Sequence, residues 1–135
     1  MSLITWNDNL SVGVKELDDQ HKKLIALINE LFDAVTARKG KDALGPVLSE
    51  LVEYTKYHFG NEERLFATHG YVNAAAHKQE HDDLTQKVIS FDAQFKAGRA
   101  MVDLLLMNFL KDWLTKHIVG TDKKYSAFLN EKGIK

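Results

Sequence analysis

The 135-residue sequence has no cysteine and a single proline. Without cysteine there is no disulfide, zinc ribbon, iron–sulfur cluster or thiol nucleophile, so any metal held by this chain takes nitrogen and oxygen ligands. An excess of one charge is also lacking, since 18 Lys+Arg against 19 Asp+Glu leave a formal net charge of -1. A balanced chain with no Lys/Arg run has no electrostatic footprint for nucleic acid. The longest apolar run is Leu24–Ile25–Ala26–Leu27–Ile28, followed by Leu104–Leu105–Leu106–Met107, both far short of the ~20 residues that span a membrane. The opening residues carry no basic cluster and no apolar stretch of secretory type, so a soluble cytoplasmic protein is expected. Asn9-Leu10-Ser11 then has no meaning as a glycosylation signal. Strand signals are missing as well: no alternating β-branched run flanks a turn dipeptide.

What is present is helical periodicity. Between the glycines, apolar residues recur at three and four positions rather than at two. Four segments follow. The first is expected from Asp18 or Asp19, as N-cap, to about Lys39, stopped by Gly40, with Leu24, Ile25, Ile28, Leu31, Phe32 and Val35 inward. The second runs from Lys41 to His69, ended by Gly70, with Val47, Leu48, Leu51, Phe59, Leu65 and Phe66 inward. The third starts after an Asn73 cap and stops near Gly98, with Leu84, Val88, Phe91 and Phe95 inward. The fourth runs from about Ala100 to Val119, with Val102, Leu106, Leu110, Trp113 and Leu114 inward. Gly120 is expected to break it, and Thr121 to cap a short last helix to Leu129. Helices of similar length with short loops make an all-α, antiparallel up-down-up-down four-helix bundle. One domain over residues 1–135 is expected, with residues 1–17 as an N-terminal arm and 18–129 as the bundle.

Five of the six histidines fall on these apolar faces. His21 shares the arc of Ile25, Ile28 and Phe32. His58 and Glu62 lie within the arc of Val47, Leu51 and Leu65. His77 and His81 share the arc of Leu84, Val88 and Phe95, and His117 that of Leu106, Leu110 and Trp113. His58–Glu62 and His77–His81 are (i, i+4) pairs, whose Cβ atoms stand ~5–6 Å apart on one face. Asp122 follows His117 by five residues, an offset that a continuous helix would turn to another face and that a break at Gly120 turns back. His69, beside Gly70, reads as a helix-end residue and not a ligand.

Taken singly, each has an ordinary reading. A lone inward histidine is usually a satisfied core residue, a His–Glu pair usually a surface contact, and an Asp at a helix start usually a cap. Together they do not. Two carboxylates turned into one core, with no inward Lys or Arg, cost several kcal/mol each unless cations neutralise them. Five imidazoles and two carboxylates exceed the four ligands of a structural zinc site and suit two metal ions sharing the carboxylates. Iron fits this donor set, and manganese, copper and zinc are alternatives.

The series His21, His58-Phe59-x-x-Glu62-Glu63, His77-x-x-x-His81 and His117-Ile118-x-x-x-Asp122 resembles the hemerythrins, specifically the single-domain bacterial ones. Trp6, Ser11-Val12-Gly13-Val14, Asp19-Gln20-His21, Gln79-Glu80-His81 and Trp113-Leu114 agree with it, and the resemblance runs from Trp6 to about Leu129. One departure is Tyr71-Val72, where the family often has Tyr-Pro. The resemblance implies two iron ions with an oxo or hydroxo bridge. His77, His81 and His117 would hold one iron and His21 and His58 the other, with Glu62 and Asp122 bridging. The open position on the His21/His58 iron would take dioxygen. Leu24, Phe59, Trp113, Leu114 and Ile118 would line its pocket.

The implied function is reversible dioxygen binding for transport, storage or delivery, with an oxygen-consuming protein as recipient, and not an enzymatic one. Two other functions compete: an oxygen or redox sensor working with a partner in trans, and a di-iron oxidase or peroxidase. Oxygen-activating bundles use Glu-x-x-His pairs and four carboxylates, a pattern absent here. No outward apolar patch is readable, so a monomer is expected.

Overall fold

The computed structural model describes residues 2–135. Four long helices carry it: α1 Lys15–Thr36, α2 Lys41–His69, α3 Ala74–Lys96 and α4 Leu104–Lys116. Short 3-10 turns stand at Asp8–Leu10 and Asp122–Tyr125, a π-turn at His117–Thr121, and a last helix, α5, at Ser126–Glu131. Among the described residues there is no strand, and no helix is long and apolar enough to cross a membrane. Short loops reverse the chain after each of the first three long helices, giving the up-down-up-down order, and α4 runs on into the π-turn. α1 packs on α2 and α4, and α2 on α3. The core draws on the predicted faces: Leu24, Ile25, Ile28 and Leu31 meet Leu48, Leu51, Phe59 and Phe66, with Leu84, Val88, Leu110 and Leu114 opposite, all buried, while Phe32, Val35, Val47, Leu65, Phe91, Leu106 and Trp113 pack half-buried at its edge.

The helix ends depart from expectation in ways that have local causes. α1 starts at Lys15, a turn earlier than predicted. Asp18 does not cap it. Its carboxylate instead accepts the Val12 N–H at 2.8 Å and the Ser11 hydroxyl at 2.6 Å, and so caps the arm from inside the helix. Gly13 turns that corner at φ +73, with Asn130 3.1 Å from where a Cβ would lie. Further back, the Ile4 backbone exchanges two hydrogen bonds of 2.9 Å with the Asn29 amide, which ties the arm to α1.

Gly40 does not end α1 either. Arg38 takes the left-handed conformation at φ 56, and Gly40 is the N-cap of α2. Gly70 ends α2 as expected, left-handed, with its N–H on the Phe66 carbonyl. Asn73 stands at the start of α3 but its side chain caps nothing. α4 begins at Leu104 and not at Ala100, because the Asp103 carboxylate accepts the Leu106 N–H at 3.0 Å. The outward faces are not wholly polar: Met101, Leu104 and Leu105 stand exposed together around the start of α4.

Candidate metal centre

The structure brings the seven predicted residues together at one end of the bundle. Their donor atoms form two groups that share both carboxylates: Glu62, His77, His81, His117 and Asp122, and then His21, His58, Glu62 and Asp122. All are buried, His21, Glu62 and Asp122 completely. His69 is not among them.

Each pair follows from helix geometry, except the last. His58–Glu62 and His77–His81 stack one turn apart on α2 and α3. His117 and Asp122 meet through the π-turn. The Asp122 N–H donates to the His117 carbonyl, five residues back, and that wider turn sets i and i+5 above one another. The expected break at Gly120 does not occur. Thr121 caps nothing; its hydroxyl donates to Glu80 at 2.9 Å.

The carboxylates divide their oxygens between the two groups of imidazoles. Glu62 Oε1 lies 3.1 Å from His81 Nε2 and 3.5 Å from His77 Nε2. Its Oε2 lies 3.4 Å from His58 Nε2 and 3.6 Å from His21 Nε2. Asp122 Oδ1 stands 2.9 Å from both His77 and His117 Nε2, and Oδ2 stands 3.0 Å from His21 Nε2. Close as they are, these atoms do not satisfy one another. Nε2 of His21, His77, His81 and His117, Oε1 of Glu62 and both Asp122 oxygens are buried without a hydrogen-bond partner. Buried polar atoms are ordinarily paired, and no Lys or Arg is buried among the described residues to serve the two carboxylates. A set of nitrogen and oxygen lone pairs converging on two points fits two cations.

The electrostatics agree. Burial works against the charged forms, yet His21 is pushed up to about 10 and His77 to about 9 by the Asp122 and Glu62 carboxylates. His117 is raised for the same reason, by Asp122 first. At His58 burial prevails, and its pKa is lowered. Glu62 is held well below the usual carboxylate range against burial, by His58 first and by its close approach to His21 and His77. Asp122 is lowered likewise by His117, His21 and His77. This core stabilises positive charge around two anions.

Four outer partners escaped the sequence reading. His58 Nδ1–H donates to the Gln20 amide oxygen at 2.6 Å. His81 and His117 Nδ1–H donate to Glu63 and Glu80, each at 2.9 Å. The Tyr125 hydroxyl, wholly buried, donates to Glu62 Oε2 at 2.6 Å. Bonds of this kind aim the Nε2 lone pairs inward and hold the rings in place. The one available signal was adjacency, since Gln20, Glu63 and Glu80 each neighbour a predicted ligand in sequence.

The five predicted pocket residues are partly gathered. Leu24, Phe59, Trp113 and Leu114 line a cavity of about 30 Å3 with Leu51, Thr55, Val88 and Leu110. Ile118 is buried but does not line it. The Thr55 hydroxyl is spent on the Leu51 carbonyl at 2.7 Å, and no lining residue carries a titratable group. Phe59 and Trp113 also brace the imidazoles. Phe59 stacks on His81 at 3.8 Å between ring centres, and Trp113 on His117 at 4.4 Å.

Residues 12–129 match the family described as hemerythrin HHE cation binding domain. A bacteriohemerythrin of Stenotrophomonas maltophilia is 37% identical, over 97% of this chain and 87% of its own length. One from Methylococcus capsulatus is 36% identical, over 96% and 99%. A solved wild-type hemerythrin structure superposes with a TM-score of 0.88 at 37% identity, covering 93% of this chain and 97% of that one. With the buried histidine–carboxylate cluster of the fold they match, these relatives place the chain in the hemerythrin family.

Proposed function

We propose that this chain binds dioxygen reversibly at a non-haem di-iron centre. His77, His81 and His117 would hold one iron and His21 and His58 the other, with Glu62 and Asp122 spanning both. The division of each carboxylate's two oxygens between the two imidazole groups carries this reading. Iron bound here would supply the electrons on which reversible dioxygen binding depends.

The chain's own residues supply the rest. Three imidazoles surround one position and two the other, so a metal at the His21/His58 position would have fewer protein donors and would leave more of its coordination to a small ligand. The cavity formed by Leu24, Phe59, Trp113 and Leu114 keeps water and charged reductants away, and none of its lining groups is an acid or base. General acid–base chemistry on a ligand in that cavity has no agent in its lining, which favours storage, transport or delivery over turnover. The experiment is metal analysis with a visible spectrum recorded through cycles of air and anaerobic reduction. Two irons per chain and a spectrum that returns on each cycle are expected. An oxygenated form that never returns to the reduced one contradicts the reading.

A further inference from the structure

The surroundings of the cluster differ between its two halves. On the His77/His81/His117 side, two imidazoles lean on carboxylates: His81 on Glu63 and His117 on Glu80, the latter also fixed by the Thr121 hydroxyl. On the His21/His58 side there is no such charge. His58 leans on the neutral amide oxygen of Gln20, and His21 Nδ1 is buried with no partner. An imidazole N–H that donates to a carboxylate makes the opposite nitrogen a stronger donor than one that donates to an amide or to nothing.

The carboxylate between the halves is biased the same way. Tyr125 donates to Glu62 Oε2 at 2.6 Å, and Oε2 is the oxygen that faces His58 and His21. Oε1, which faces His77 and His81, has no donor. A hydrogen bond draws charge from the oxygen it touches and leaves a poorer metal donor. Five donor residues against four add to the difference.

We infer that the chain builds its two metal positions unequal through these outer partners: the first divalent cation enters the His77/His81/His117 position, and the second binds more weakly beside His21 and His58. Gln20, Glu80 and Tyr125 are positioning residues in this scheme. The inference rests on the cluster being a metal centre.

The test is an anaerobic titration of the metal-free full chain with Co2+ against a competing chelator, with cobalt absorption as the readout. Two resolved steps are expected in the wild type. Gln20→Glu gives His58 a charged partner and should tighten the second step about tenfold, the low end of what such partners are worth. Tyr125→Phe frees Glu62 Oε2 and should also tighten the second step. Glu80→Gln, at a side chain about half exposed, should weaken the first step by about tenfold and leave the second. Circular dichroism checks that each variant is folded, and Glu80→Gln alone decides the matter if the buried changes unfold the chain. A wild type that takes up no cobalt overturns the metal reading itself. Two ions bound with one dissociation constant, or variants that shift both steps alike, overturn the inequality and leave the metal reading standing.

Discussion

The backbone N–H of Asp122 reaches the carbonyl of His117, shared with that of Ile118, and the π-turn it closes puts a carboxylate and an imidazole five residues apart onto one face. Gly120 lies inside the turn without shaping it. Its φ is not positive, and an added Cβ there meets nothing within 4 Å. Gly120→Ala should therefore keep full metal content and raise stability by about 0.5–1 kcal/mol, the usual cost of glycine within a helix. Denaturant unfolding of the metal-free protein, beside metal analysis, checks both halves. Loss of metal in this variant would mean that the glycine, and not the wider turn, positions Asp122.

The ligand set separates from a merely histidine-rich core by two alanine changes. His117 is buried, within 3 Å of Asp122 Oδ1 and stacked on Trp113. His69 stands in the last turn of α2, outside both donor groups. His117→Ala should lose at least half of the bound iron and its colour, while His69→Ala keeps both. Equal losses would misplace the site.

Much of this was legible in the residues because helices translate spacing into direction. His58, Glu62, His77 and His81 needed only the 3.6-residue period to be put on the core side. Asp122 also reached its place, though by a different route from the one expected, since a glycine is a visible breaker and a π-turn leaves no mark of its own. The helix starts were harder. Asp18 has the residue type of an N-cap, and its carboxylate does cap backbone, but that of the arm ahead of it. Glu63 and Glu80 look like any surface carboxylate next to a ligand. What singles them out is which imidazole they reach, and Glu80 reaches His117 across 37 residues of chain. Tyr125 was invisible for the same reason, being 63 residues from Glu62.

Metal uptake should release protons, and the sign follows from the direction of the shifts. In the metal-free protein His21 is raised to about 10 and His77 to about 9, so both are protonated at pH 7.5, where a free imidazole is neutral (~6.5). A metal needs them deprotonated. Calorimetry at pH 7.5 in buffers of different ionisation enthalpy should show roughly two protons leaving per loaded chain, falling toward zero above pH 10. The same groups set the stability of the metal-free form. Raised histidines stabilise the fold fully below about 6.5, and that contribution fades as pH climbs through 9 and 10. The lowered Glu62 and Asp122 act oppositely and withdraw their contribution as pH falls below the ordinary carboxylate range. A metal-free chain whose stability rises between pH 8 and 10 would contradict this balance.

Access to the centre is the last measurable consequence. A second apolar cavity, of about 230 Å3, lies between α2, α3 and α4, lined by Leu48, Phe91, Leu106 and Phe109 with the exposed Lys87 at its rim. Leu51, Val88 and Leu110 line both this cavity and the smaller one beside the imidazoles. A small apolar ligand that enters by this face must pass those three side chains. Leu110→Phe should slow dioxygen association several-fold with iron content unchanged, at a stability cost of about 1–3 kcal/mol for the extra volume. Leu110→Ala should speed association, because it widens the shared wall. Stopped-flow mixing of the reduced protein with oxygen measures both. Identical rates in wild type and the two variants would place the entrance elsewhere, and the shared wall would then be a packing gap where α4 lies against α2 and α3.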